Sequence, residues 1–187
     1  MNSSLIKLNL GCGDKKIHGF VNVDGREDTN PDVVCDLSEI SKRFSDVDLI
    51  YACHVLEHFP KTANSFYKTT YSALLRDWHS SLRTGGTLRL SVPDMQSVFE
   101  RYSHTKNLKE VMSFLYGGQK YDFDFHFCGW DFPTLREELE SVGFKSVRIY
   151  DWRKTEHSFV DDYSQAYLPS MEKISGKLMS LNVEAIK

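Results

Sequence analysis

Three groups of residues in this chain are of types and at spacings that could do chemistry together. Gly11-Cys12-Gly13 follows directly on an apolar run, and Asp24 closes a second, shorter one. Glycines let a ligand approach the backbone with no Cβ in the way. A carboxylate at the end of the neighbouring strand can accept hydrogen bonds from both hydroxyls of a ribose, which is how an open α/β sheet makes a nucleotide site. The second group is His54-Val55-Leu56-Glu57-His58, two imidazoles and a carboxylate suited to metal binding or proton transfer. The third is His126, in the irregular stretch GGQKYDFDFHFCGW at 117–130, which reads as a loop over the site.

The elements that must position these groups follow from periodicity. Residues 5–10 alternate as a buried strand, and residues 20–23 form a second strand ending at Asp24. The ten residues 14–23 leave room for a turn but not for a full crossover helix. Residues 32–37 read as a short third strand and 47–53 as a fourth. A helix is expected over 64–82, with Phe66, Tyr67, Tyr71, Leu74, Leu75, Trp78 and Leu82 on its core face and Gly85-Gly86 as its stop. A fifth strand over 87–92 leads to Asp94 as cap of a helix at 95–102, and Asn107 caps another at 108–116. Asp131-Phe132-Pro133 opens a further helix, which turns Leu135, Leu139 and Val142 inward and stops at Gly143. Strands at 146–152 and 178–186 enclose a long insertion, 153–177.

The glycine pair does not extend to G-x-G-x-x-G, because Lys16 holds the sixth place, so a dinucleotide pyrophosphate is not the indicated ligand. Gly11-Cys12-Gly13, Asp24, Asp36 and the strand Asp48-Leu-Ile-Tyr-Ala, in that order, instead resemble the class I S-adenosylmethionine-dependent methyltransferases, most of all the small "methyltransferase type 11" kind. The resemblance runs over most of the chain. It implies an α/β, Rossmann-like fold: a seven-stranded, mostly parallel sheet of order 3-2-1-4-5-7-6, strand 7 antiparallel, with helices on both faces. The shortened first crossover departs from that pattern, and residues 1–4 are too few for the covering helix such proteins often carry before strand 1. The chain reads as one domain, 1–187, with insertions at about 103–130 and 153–177 covering the site.

The resemblance also implies S-adenosyl-L-methionine as cofactor. Gly11, Cys12 and Gly13 would lie beside its amino-acid part, Asp24 on the ribose, Asp36 and Leu37 at the adenine, and Ala52, Cys53 and His54 along the floor. Asn9 stands where the family often has a carboxylate that holds the cofactor's ammonium. Asp36 reads equally well as the cap of the turn that follows it. Methyl transfer from a sulfonium needs alignment and at most a proton acceptor. For the latter the residues offer His126, His54, His58 and Asp94, with Asp94 also a helix cap. Tyr121, Phe125 and Trp130 could wall an acceptor pocket, and His157 and Tyr167 of the late insertion could reach it.

Two other readings stand beside this one. A binding protein on the same sheet, without turnover, would suit the short crossover and Asn9. A zinc hydrolase would suit H-x-x-E-H, but His54 follows a strand and Pro60 follows His58 closely, so no long helix can carry the motif and no metal is expected. A net charge of −3 without long basic runs argues against a nucleic-acid partner. The acceptor is expected to be a small molecule or a saccharide- or lipid-linked hydroxyl, and the protein a cytoplasmic monomer or homodimer. Four scattered cysteines with no C-x-x-C fit reduced thiols, and no apolar run approaches the about 20 residues of a membrane span.

Overall fold

The computed structural model of the protein describes residues 5–170 and 172–187; the N-terminal segment 1–4, argued above to be too short for a covering helix, lies outside the described residues. In chain order the strands are β1 (Lys7–Leu10), β2 (Val21–Asp24), β3 (Val33–Val34), β4 (Val47–Cys53), β5 (Leu82–Pro93), β6 (Lys145–Ile149), β7 (Tyr167–Leu168), β8 (Lys177–Leu178) and β9 (Ser180–Ile186). The helices are α1 (Tyr71–Ser81), α2 (Met95–Thr105), α3 (Leu108–Tyr116) and α4 (Phe132–Val142). Seven strands pair in the order β3-β2-β1-β4-β5-β9-β6. Pairing is parallel from β3 to β5, and β9 runs antiparallel to both its neighbours. This is the expected topology, with β9 as the seventh strand of the pattern. Among the described residues no helix is long and apolar enough to cross a membrane.

The two faces of the sheet are built differently. Alternate residues Leu8, Leu10, Ile50, Ala52, Leu88, Leu90 and Val183 pack against Leu74, Leu75 and Trp78 of α1 and Leu135 and Leu139 of α4 in one apolar core. The other face carries Leu49 and Tyr51, which pack with Ile17 and Phe20, but also buried Asn9, Asn22, Ser91 and Asn182. Its cover is a set of loops and one-turn 3-10 helices, among them Tyr163–Gln165 of the late insertion. Those segments satisfy the polar face: Tyr51 donates to Asp162 Oδ2 at 2.7 Å and Asn182 Nδ2 to the Ser164 carbonyl at 2.9 Å. The paired groups are buried at little cost; among the described residues the Ser91 hydroxyl and Asn182 Oδ1 have no partner. No helix lies between β1 and β2, as the spacing required.

Several boundaries depart from the expectation for local reasons. The helix expected from residue 64 starts at Tyr71, because Asn64 Oδ1 accepts the backbone N–H groups of Phe66 (2.8 Å) and Tyr67 (2.9 Å) and closes a turn. Thr70 then caps α1 by accepting from Ala73. Phe66 and Tyr67 therefore leave the core face they were given. The helix ends at Ser81 and β5 begins at once, so Gly85-Gly86 lies inside the strand, where its register against β4 shifts. The third strand is only Val33–Val34, since Asp36 Oδ1 accepts from Ser38 and turns the chain. The strand expected over 146–152 ends at Ile149. Residues 177–178 pair with Tyr167–Leu168 in a separate small ribbon.

His157 sits under the polar face, 2% exposed, its ring 4.2 Å from that of Tyr51, and does not reach the site as its position had suggested. Among the described residues its Nδ1 has no hydrogen-bond partner. Burial, then the charge of Arg89, pushes its pKa down from 6.5 to about 4. Between those two values the unfolded chain binds a proton that the fold rejects, so stability is lost as pH falls from 6.5 toward 4. The loss from this group is at most about 1.4 kcal/mol per pH unit. In urea melts from pH 7 to pH 4, His157→Phe is expected to flatten the fall in stability relative to the parent; parallel curves would contradict the assignment.

Candidate active site

At the carboxyl ends of β1, β2 and β4 the chain leaves the sheet around a cleft of about 1200 Å³. Gly11 and Gly13 form the turn after β1, both with positive φ, +63° and +49°. A Cβ on Gly11 would stand 2.5 Å from Val55 Cγ2, so this glycine admits the segment after β4 beneath the turn. A Cβ on Gly13 would meet nothing within 4 Å, and the residue lies on the cleft surface. The Gly13 N–H donates to Asp24 Oδ2 at 2.8 Å, and the Arg26 N–H to Asp24 Oδ1 at 2.9 Å. Each carboxylate oxygen keeps further lone pairs for a ligand.

Lys16, in the place where a third glycine was missing, clips this turn shut. Its Nζ donates to the carbonyls of Gly13 (3.0 Å) and Thr29 (2.6 Å), across the space that a crossover helix would otherwise organise. Asn9 is 3% exposed and gives both Nδ2 hydrogens to protein, to the Lys15 carbonyl (2.9 Å) and to Asn22 Oδ1 (3.0 Å). That fixes the amide's orientation and leaves Oδ1, among the described residues, without a protein partner in a residue on the cleft wall.

The structure brings Asn9, Gly11, Cys12, Gly13, Asp24, Asp36, Leu37, Cys53, His54, His58 and His126 to this one cleft. Two of the named residues do not join them. Ala52 is fully buried in the core against the helical layer, because the strand's alternation turns Cys53, not Ala52, outward. Asp94 caps α2, accepting from the Gln96 N–H at 3.1 Å and from Ser97 Oγ at 2.7 Å, and is off the cleft. Of the aromatic walls, Tyr121 lines the cleft and lies over the Arg26 guanidinium at 4.8 Å, which draws the 117–130 loop toward Asp24. Trp130 is instead a core residue, edge-on to Tyr71, and Phe125 is outside the lining. Tyr167 does line the cleft, with Asp162 and Tyr163 of the same insertion, which sequence reasoning missed. Phe66 and Tyr67, expected in the core, are also on the wall.

The imidazoles gather around Glu57, whose carboxylate is completely buried. His54 leaves β4 with φ +51° and its Nδ1 is 3.2 Å from Glu57 Oε1, an ion-pair distance without hydrogen-bond direction. Ser180 spends its proton on the Tyr163 carbonyl (2.5 Å), so it accepts from His54 Nε2 (3.0 Å); a proton on Nδ1 facing Glu57 then exists only in the doubly protonated ring. Burial opposes the charge on Glu57, but the neighbouring imidazoles of His54, His58 and His126 outweigh it and hold the carboxyl below its ordinary value. Burial pushes the His126 pKa down, with Glu57 and the bond to the Phe114 carbonyl only partly offsetting it. Burial likewise raises the pKa of the Cys12 and Cys53 thiols, which disfavours their thiolates.

No family model matches this sequence, and no curated protein matches it. Solved structures do. A SAM-dependent methyltransferase from Archaeoglobus fulgidus superposes with a TM-score of 0.58 at 17% identity, covering 99% of this chain and 87% of that one. One from Thermotoga maritima gives 0.58 at 12%, over 97% and 82%. A Listeria monocytogenes protein assigned to the same class gives 0.55 at 14%, over 99% and 92%. At these identities the likeness is one of fold, and the fold is that of the class I S-adenosylmethionine-dependent methyltransferases.

The Lys16 clip generates a prediction of its own. Lys16→Met should cost about 1–2 kcal/mol, the loss of charge-assisted bonds to two carbonyls, and should speed amide exchange at Gly13 and Asp14. An unchanged melting temperature with unchanged exchange would show that the turn holds itself.

Proposed function

We propose that the protein transfers a methyl group from S-adenosyl-L-methionine to the hydroxyl of a small molecule or of a saccharide- or lipid-linked acceptor. The observation that carries this reading is the convergence of Gly13, Asp24 and Asn9 Oδ1 on one cleft. The fit to the cofactor is chemical as well as spatial. Asn9 Oδ1 is an acceptor with no protein partner among the described residues, suited to an ammonium. The Asp24 oxygens suit two ribose hydroxyls. The bare Cα of Gly13 leaves open the space that a side chain would fill. The volume of about 1200 Å³ exceeds the roughly 300–1,000 Å³ of a single-ligand pocket, which allows for an acceptor beside the cofactor.

When bound, the cofactor supplies an already activated methyl group. The chain's own task is positioning. Asp24 and the glycine turn hold the nucleoside end, and the loop at 117–130, drawn in by Tyr121 on Arg26, keeps water from the reacting atoms. His126 donates Nδ1–H to the Phe114 carbonyl at 3.0 Å, which leaves Nε2 as the lone-pair atom able to take a proton from an acceptor hydroxyl. His58 is set in the same way by the Phe125 carbonyl at 3.0 Å. On this reading the chain acts as one domain whose segments 103–130 and 153–177 cover the site, in the cytoplasm, as a monomer or homodimer. Asn9, an amide in place of a carboxylate, favours a second reading in which the cofactor binds and no methyl is transferred.

Calorimetry with S-adenosylmethionine and S-adenosylhomocysteine is expected to show one site per chain. Asp24→Asn should weaken it about 10-fold to 100-fold, the worth of charge-assisted hydrogen bonds. Absence of heat for either ligand at millimolar concentration would refute the proposal. Binding without transfer to any hydroxyl acceptor would select the second reading.

A further inference from the structure

The mechanism above leaves Glu57 unexplained. Its side chain is wholly buried and, among the described residues, neither carboxylate oxygen has a hydrogen-bond partner, His54 Nδ1 standing at ion-pair distance, 3.2 Å, without hydrogen-bond direction. A buried carboxylate without hydrogen bonds is expensive, and native structures nearly always supply them. Methyl transfer from a sulfonium requires no such group. Beside it stand His58 and His126, and one donor atom from each of the three residues lies within 4.8 Å of the others.

The two imidazoles are prepared in the same way. His58 and His126 each spend Nδ1 on a backbone carbonyl, of Phe125 and Phe114, at 3.0 Å. A histidine so tethered presents Nε2 as a lone pair in a fixed direction, the usual arrangement behind a metal-bound imidazole. The rings are edge-to-face with centroids 4.8 Å apart, close enough to converge on one point and not stacked. Both residues line the cleft that holds Gly13 and Asp24.

We infer that Glu57, His58 and His126 form a binding site for a divalent transition-metal ion in the wall of this cleft. Two histidine nitrogens and one carboxylate form a donor set used by zinc and by iron(II), with positions left open. With metal–ligand bonds of about 2.0–2.2 Å, donors now up to 4.8 Å apart must draw in by about 1 Å, within reach of small side-chain rotations on the 117–130 loop. The H-x-x-E-H phrase contributes its Glu57 and His58, but the third ligand comes from His126, because His54 is outside the converging group of donor atoms. The inverted-protease geometry is not formed: Leu56–His58 is one 3-10 turn and not a carrying helix.

The ion's existence does not depend on the methyl-transfer reading; its use does. In that setting the open positions fit an acceptor with two neighbouring oxygen donors, such as a vicinal diol or an α-hydroxy carboxylate, held as a chelate. His126 is then a ligand and takes no proton; coordination lowers the hydroxyl's pKa, so that its proton is released to solvent as the acceptor binds, before the methyl is transferred.

The test is made on untagged protein, stripped with chelator and free of cofactor. Titration with Co²⁺, followed by its visible absorption, and with Zn²⁺, by calorimetry, is expected to show one ion per chain at micromolar affinity. Removing an outer-shell partner of a metal ligand costs 10-fold to 100-fold, so His58→Ala and His126→Ala should each weaken binding at least about 100-fold. Glu57→Gln keeps the buried shape and should abolish the Co²⁺ spectrum with little change in melting temperature. No binding by the parent at millimolar ion, or parent-like binding by the His58→Ala/His126→Ala double variant, would overturn the inference. S-adenosylhomocysteine titration of the same samples reports the cofactor site separately, so the two readings fail independently.

Discussion

The carboxylate of Asp24 ties the ends of the first two strands together, and the rest of the site is arranged around that tie. Both its oxygens accept backbone N–H groups, one from the turn after β1 and one from the turn after β2. In most sheets of this kind a crossover helix fixes the geometry between those strands. Here the intervening ten residues are a turn, and the fixing is done by Asp24 and by the Lys16 ammonium on two carbonyls. Charge-assisted hydrogen bonds do this economically, since each is roughly twice as strong as a neutral one.

The consequence is a sheet with one apolar and one polar face. The helical layer of α1 and α4 buries an alternating set of aliphatic side chains. The other face is built from Asn9, Asn22, Tyr51 and Asn182, each paired with a loop or a 3-10 turn. Asn9 belongs to that network, and so its oxygen is aimed by structural bonds and available to a ligand. The late insertion serves both ends: Asp162 accepts from Tyr51 under the sheet, and Tyr163 of the next turn forms part of the cleft wall beside His54.

Much of this was legible in the sequence because the signals are local. Asn107 and Asp131 announce the starts of α3 and α4 through side-chain caps, and both helices begin where those caps place them. The glycine turn and Asp24 are visible for the same reason. What failed was decided by competition or by tertiary burial. Asn64 out-competed a helical start, which moved Phe66 and Tyr67 from the core to the cleft. Ala52 went to the wrong face of its strand, although period-two alternation from Ile50 would have corrected it. Asp94, readable both as a base and as a helix cap, is the cap. The burial of Glu57 beside His126 was not legible at all, because His126 is distant in sequence and is brought there by the fold.

The central claim is that the crevice framed by Gly13, Asp24 and Asn9 is shaped for an adenosyl sulfonium. The most direct measurement is a crystal structure of the protein grown with S-adenosylhomocysteine. The account predicts density in this cleft, with the ribose hydroxyls on the Asp24 carboxylate and the ligand's ammonium within hydrogen-bond distance of Asn9 Oδ1. A well-ordered ligand lying elsewhere, or an empty cleft at saturating ligand, would contradict it.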